Sequence, residues 1–168
     1  MSSPAFVTFQ IHQDAFSFLG IENIVTESSD FSYFWDNFFR VGGYEIIKPY
    51  AIDPKPINIW YINNAEQKIY FQGLMVGDVD KVPEGYTLKK FPASDFLVVT
   101  HEWLSTNNEA LKYGIDAGWK YEKTVHIPDG YVRYDAPGSP ITMIEKENGD
   151  TPDGSRYEFW IPIKKLTH

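Results

Sequence analysis

Two stretches decide how this chain is read: Pro56-Ile57-Asn58-Ile59-Trp60-Tyr61-Ile62-Asn63 and Pro140-Ile141-Thr142-Met143-Ile144-Glu145-Lys146-Glu147. Both open on Pro-Ile, and each is followed by a second apolar run, residues 69–76 and 156–164. Short β-rich runs bounded by turn formers predict hairpins. Asn63-Asn64-Ala65-Glu66 supplies the first turn, and residues 148–155 form the second loop. Laid side by side, the two stretches put Tyr61 opposite Glu145 and Asn63 opposite Glu147. Alternation then places Ile57, Ile59, Tyr61 and Asn63 on one face, and Ile141, Met143, Glu145 and Glu147 on the matching face of the second copy.

The surroundings of the two stretches repeat as well. Upstream of the first, residues 5–26 alternate as a β ribbon, with Phe6, Thr8 and Gln10 followed by Phe16, Phe18 and Leu19. Phe31, Phe34, Trp35, Phe38 and Phe39 then recur at helical spacing. Ser28, Ser29 or Asp30 caps this helix and Gly42-Gly43 ends it. The aromatic residues of this helix are expected to be mostly core. Upstream of the second stretch, strands 86–91 and 95–103 are joined by Pro92-Ala93-Ser94. A helix over 105–119 follows, capped by Ser105 or Thr106, with Leu111, Ile115 and Trp119 along its apolar stripe. Residues 44–55 and 125–140 read as connections. The order β-α-β-β therefore occurs twice, in one domain over 1–168, with repeats at about 4–78 and 82–166. Two such units joined edge to edge predict an α+β fold: an antiparallel eight-stranded curved sheet, two main helices on one side, and a ligand cleft at the pseudo-two-fold.

The composition narrows the function classes. The chain has 168 residues, 15 Lys plus Arg against 23 Asp plus Glu, a net charge of −8 and 17% aromatic residues. So many aromatics exclude a disordered chain. The acidic balance, with Arg only at 40, 133 and 156, speaks against direct nucleic-acid binding. An acidic, aromatic chain has the ingredients of a pocket for apolar cations, although a large core under a solubilising surface has the same composition. The absence of Cys removes disulfides, thiolate zinc sites and Cys nucleophiles together and fits a cytoplasmic location. The N-terminal segment lacks a basic leader and a long apolar run, and no membrane span is expected.

Glu145 is the first candidate for chemistry. It continues an apolar strand face, where a carboxylate is costly to bury without a partner. It is either a counter-charge for a cationic ligand, a general acid or base, or an exposed strand end paired with a Lys. Trp60 and Tyr61 must face opposite sides of their strand, so one packs in the core and the other is free to line a cleft. In the last strand Tyr157, Phe159 and Ile161 alternate with Glu158 and Trp160, so one face is core and the other is free to bring Trp160 or Glu158 to a pocket. His101 reads as a hydrogen-bonded structural histidine. No metal-ligand spacing, phosphate-cradling loop or nucleotide fingerprint occurs, so neither a metal nor another cofactor is expected.

Val82-Pro83-Glu84-Gly85-Tyr86, Phe91-Pro92-Ala93-Ser94, Gly118-Trp119 and Tyr157-Glu158-Phe159-Trp160-Ile161-Pro162-Ile163-Lys164 fall in an order that resembles the GyrI-like superfamily, the AraC-type effector-binding domains. The resemblance spans about residues 4–166 and is most specific in the second half. It implies the duplicated βαββ fold and a central cleft for small, often aromatic and cationic molecules. It places Met143-Ile144-Glu145-Lys146-Glu147 in the strand that carries the family's pocket glutamate, so Glu145 becomes the central carboxylate. Glu147 stands where the family usually has Tyr, and Ser94 where it has Gly. Trp60, Tyr61, Trp119, Tyr157 and Trp160 are the aromatic walls that this reading proposes, with Glu147 as a second carboxylate. A helix-turn-helix unit needs on the order of 50 further residues, so the expectation is a stand-alone binding domain. The alternatives are a hydrolase of electrophilic cyclopropane-type compounds that uses Glu145, and a gyrase-inhibitor-like modulator with a protein partner. A homodimer is compatible with each.

Overall fold

The computed structural model describes residues 5–167. The repeat boundary at residue 4 and the first residues of the segment read for a leader lie outside the described residues. The described chain runs through β1 (Phe6–Gln13), β2 (Phe16–Val25), α1 (Phe31–Val41), β3 (Ile57–Ile62), β4 (Lys68–Val76), β5 (Thr87–Phe91), β6 (Ser94–His101), α2 (Asn107–Tyr121), β7 (Tyr131–Arg133), β8 (Met143–Thr151) and β9 (Gly154–Lys165). The strands form one antiparallel sheet in the order β1-β6-β9-β8-β3-β4-β2-β5, with β7 paired on β9. Read backwards, this order exchanges β1 with β5, β6 with β2, β9 with β4 and β8 with β3. That is the two-fold the repeat implies, with its axis between β3 and β8. The ninth strand, β7, comes from the segment expected to be a plain connection. The expected loop over 148–155 is shorter, because β8 runs on to Thr151.

Each half opens with two strands, and these link the halves. Phe6↔His101 to Gln13↔Ser94 pairs β1 with β6, and the same register resumes as Phe16↔Phe91 to Gly20↔Thr87 between β2 and β5. β1–β2 and β5–β6 are thus two long bent strands paired along their length. They join the two ends of the sheet and curl it. The inner face of the curl holds a core built almost wholly by strands, including Phe18, Ile59, Phe71, Phe96, Ile144 and Trp160. The outer face carries both helices and a second apolar layer, including Phe34, Leu97, Val99, Phe159 and Ile161.

The register corrects the alignment of the two strand stretches. Asn58 pairs with Glu145 and Trp60 with Met143 across β3 and β8. Superposing the hairpins with both registers intact carries Asn58 onto Glu145, Trp60 onto Glu147 and Tyr70 onto Tyr157. Tyr61 is therefore not the counterpart of Glu145, nor Asn63 of Glu147. The two Pro-Ile openings mislead because Ile57 begins β3 while Ile141 precedes β8 and packs with the inner core. An odd slip exchanges the faces of a strand.

The helices sit differently from the expected stripes. Asp30 caps α1 by accepting from the Ser32 N–H at 2.9 Å, and Gly42 ends the helix with φ 150°. Only Phe34 and Phe38 of α1 are buried, while Phe31 is 40% exposed and Tyr33 and Phe39 face solvent. Thr106 caps α2, which buries Ala110, Gly114 and Gly118 rather than Leu111, Ile115 and Trp119. A Cβ at Gly118 would stand 2.2 Å from Cε2 of Phe159, so the helix lies directly on β9. This close seat turns the larger stripe, one residue further round, toward the space above β8 and β3.

Candidate functional site

A cavity of about 830 Å³ opens between the outer face of the sheet and the two helices. Trp60, Tyr70, Met143, Glu145, Glu147 and Tyr157 form its floor. Phe31 and Trp35 from α1 form one wall, and Leu111, Ile115 and Trp119 from α2 the other. The floor strands are those beside the pseudo-two-fold axis, as the duplication implied.

Glu145 lies at the centre and is 4% exposed. One oxygen accepts the Trp60 indole N–H at 2.6 Å, and the other accepts the Tyr157 hydroxyl at 2.7 Å. Burial pushes its pKa up to about 6, and the two hydrogen bonds hold it from rising further. Among the described residues no ion pair involves Glu145. The site thus holds a positioned carboxylate with an unfilled charge requirement, since charges in an interior are ordinarily paired.

The supports of this carboxylate are themselves fixed. Tyr157 donates its backbone N–H to His101 Nε2 at 3.1 Å, while His101 Nδ1 lies 2.8 Å from the Glu102 carbonyl. That pattern assigns the proton to Nδ1 and a neutral ring, and burial lowers the His101 pKa accordingly. His101 is a positioning residue and lies off the cavity. Trp60 packs against Tyr70 at 4.7 Å, Phe31 at 5.7 Å and the edge of Trp119 at 5.9 Å. Burial raises the Tyr70 and Tyr157 hydroxyl pKa values, with the Glu145 charge as the next cause.

Charged groups at the margins are mostly spent. Arg133 binds Glu122 at 2.6 Å and Asp135 at 2.9 Å. Lys68 stands 5.3 Å from the Trp60 ring centroid at the rim. Glu147, half-buried, accepts from Asn107 Nδ2 at 3.2 Å, and burial pushes its pKa up. Among the described residues no group of three or more His, Asp or Glu is placed to hold a metal ion.

Five of the residues singled out from sequence, Glu145, Trp60, Glu147, Trp119 and Tyr157, come together in this cavity. Tyr61 and Trp160 do not, and their assignment as pocket walls is corrected. Both project from the inner face. Tyr61 donates to Glu22 at 2.7 Å, and the Trp160 indole donates to Glu158 at 3.0 Å. Adjacent Trp60 and Tyr61 cannot share a face, nor can Tyr157 and Trp160 at odd spacing. Tyr70, Phe31, Trp35 and Met143 were missed. Counting back from the Asn63 turn places Tyr70 across from Trp60, so that residue was within reach. Phe31 and Trp35 carry no signal that separates wall from core.

The fold has solved counterparts. SAV2435, determined with tetraphenylphosphonium, is 12% identical over 94% of each chain with a TM-score of 0.68. The integron cassette protein VCH_CASS2 of Vibrio cholerae is 10% identical with a TM-score of 0.58, covering 95% of this chain and 98% of its own. The C-terminal domain of EcmrR is 14% identical, also with a TM-score of 0.58, covering 96% and 99%. At such identities the likeness concerns the fold. No curated protein matches the chain in sequence. No helix among the described residues is long and apolar enough to cross a membrane. The model of the Cass2 family, integron-associated effector binding proteins, matches residues 11–163, and with the resemblance to GyrI-like domains thus borne out, the chain belongs to that family.

Proposed function

We propose that this chain is a binding domain for an aromatic organic cation, with Glu145 as the counter-charge. The observation that carries this reading is the buried Glu145 carboxylate, held by Trp60 and Tyr157, paired with no cation among the described residues and set in the floor of an aromatic cavity. The cavity falls within the range of small-molecule sites, roughly 300–1,000 Å³. Low dielectric around Glu145 strengthens its attraction for a desolvated cation. Each aromatic face adds about 0.5–2 kcal/mol of cation–π attraction. The solved relative SAV2435 with tetraphenylphosphonium supports the same class of ligand.

The hydrogen bonds favour binding over hydrolysis. Both Glu145 oxygens already accept a short bond from a fixed donor, which suits an anion held in place more than a base that must take a proton from water. The deciding comparison is a titration with tetraphenylphosphonium and with its neutral analogue tetraphenylmethane. Saturable binding of the cation alone supports the reading. Equal uptake of both, or turnover of an electrophilic substrate that is lost in Glu145→Gln, overturns it.

A further inference from the structure

Glu147 has no place in a site for a single positive charge. It projects from the same face of β8 as Glu145, two residues on, which separates the two side-chain positions by about 7 Å. It lines the cavity, and among the described residues no ion pair involves it. Its one side-chain hydrogen bond among the described residues, from Asn107, engages Oε1 and leaves Oε2 uncommitted. The cations that line the cavity are elsewhere. Arg133 is held by Glu122 and Asp135. Lys68 pairs with Ile62 at one end of β3, whereas the Glu147 N–H donates to the Pro56 carbonyl before its other end.

We propose that Glu147 makes the cavity selective for dications, with one positive centre against Glu145 and the second against Glu147. The inference rests on the cation-binding reading of Glu145 and adds the charge number and spacing of the ligand. Two carboxylates on one strand face, within one aromatic enclosure, repel each other and each lacks a counter-charge. A rigid aromatic dication of matching length relieves both, whereas a monocation leaves one uncompensated.

Methyl viologen and 1-methyl-4-phenylpyridinium form a matched pair of probes. They share a flat two-ring shape, and the viologen nitrogens stand at about the same spacing as the two carboxylate positions, about 7 Å. Calorimetric titration of the wild-type chain is expected to give about tenfold tighter binding of the viologen. Glu147→Gln, which keeps the side-chain length and the bond from Asn107, is expected to abolish that preference by weakening the viologen far more than the monocation. Glu145→Gln is expected to weaken both probes. The dication proposal is overturned by a wild-type chain that does not prefer the viologen, or by Glu147→Gln weakening both probes alike. Should the monocation bind and depend on Glu145, the underlying reading stands even then. Should neither probe bind, both readings fall.

Discussion

The Trp60 indole donates to Glu145 at 2.6 Å, although the two residues are 85 positions apart and belong to different halves of the duplicated chain. The bond crosses the seam between β3 and β8, where Trp60 pairs with Met143 and Glu145 with Asn58. Tyr157 closes the other side of the carboxylate from β9. The position of this carboxylate therefore depends on how the two halves meet.

The raised Glu145 pKa fixes the sign of the pH effects. Its folded value of about 6 lies above the ordinary 4.5. The stability associated with this group is fully present below the ordinary value and is lost as pH rises through about 6. The loss is on the order of 2 kcal/mol. Denaturant titrations across that window are expected to show this decline in the wild type and not in Glu145→Gln. Binding runs the other way: affinity for a permanent cation is expected to fall as Glu145 is protonated below about 6. Glu147, raised by burial in the same cavity, adds to that fall.

Tyr157→Phe removes the 2.7 Å bond to Glu145 and leaves the ring in place. The midpoint of the pH dependence of binding is expected to move upward, because the charged carboxylate loses a donor. Stability is expected to drop by about 1 kcal/mol. An unmoved midpoint would show that the hydroxyl does not hold the carboxylate.

Gly118→Ala tests how α2 shapes its wall. The new methyl meets the buried ring of Phe159, so the helix must lift. Chemical denaturation is expected to show a loss of about 1–3 kcal/mol. Ligand affinity is expected to fall with it, since Leu111, Ile115 and Trp119 move together. Affinity unchanged at full destabilisation would detach this wall from binding.

Tyr61→Phe and Trp160→Phe serve as controls from the inner face. Neither side chain reaches the cavity, so cation affinity is expected to remain within about twofold of wild type. Trp119→Ala, by contrast, is expected to weaken the cation by about 0.5–2 kcal/mol. A strong effect of Tyr61→Phe on binding would restore that residue to the site.

The duplication, both hairpins and the helix caps were legible in the residues themselves because each rests on a repeated or local pattern, whereas Glu145 became the central carboxylate only through the family resemblance. Asp30 and Thr106 are short polar residues ahead of apolar helical patterns, and Asn63 folds its own turn. The face on which each strand residue lies was not legible. It depends on the register of β3 against β8, and a pairing between distant segments leaves no local mark. For the same reason Tyr61 and Trp160 were placed in the cavity and Tyr70 was passed over. The Leu111, Ile115 and Trp119 stripe looked like core because apolar periodicity does not reveal how closely a helix approaches its sheet. Gly114 and Gly118 hold that information, and it emerges only beside His101 and Phe159.

The central claim is tested most directly by calorimetric titration of tetraphenylphosphonium into wild type and Glu145→Gln, with pH held above the Glu145 pKa. The expected result is one saturable site in the wild type, weakened at least about tenfold in Glu145→Gln, whose thermal unfolding shows it to be fully folded. Equal affinity in the two proteins would contradict the account.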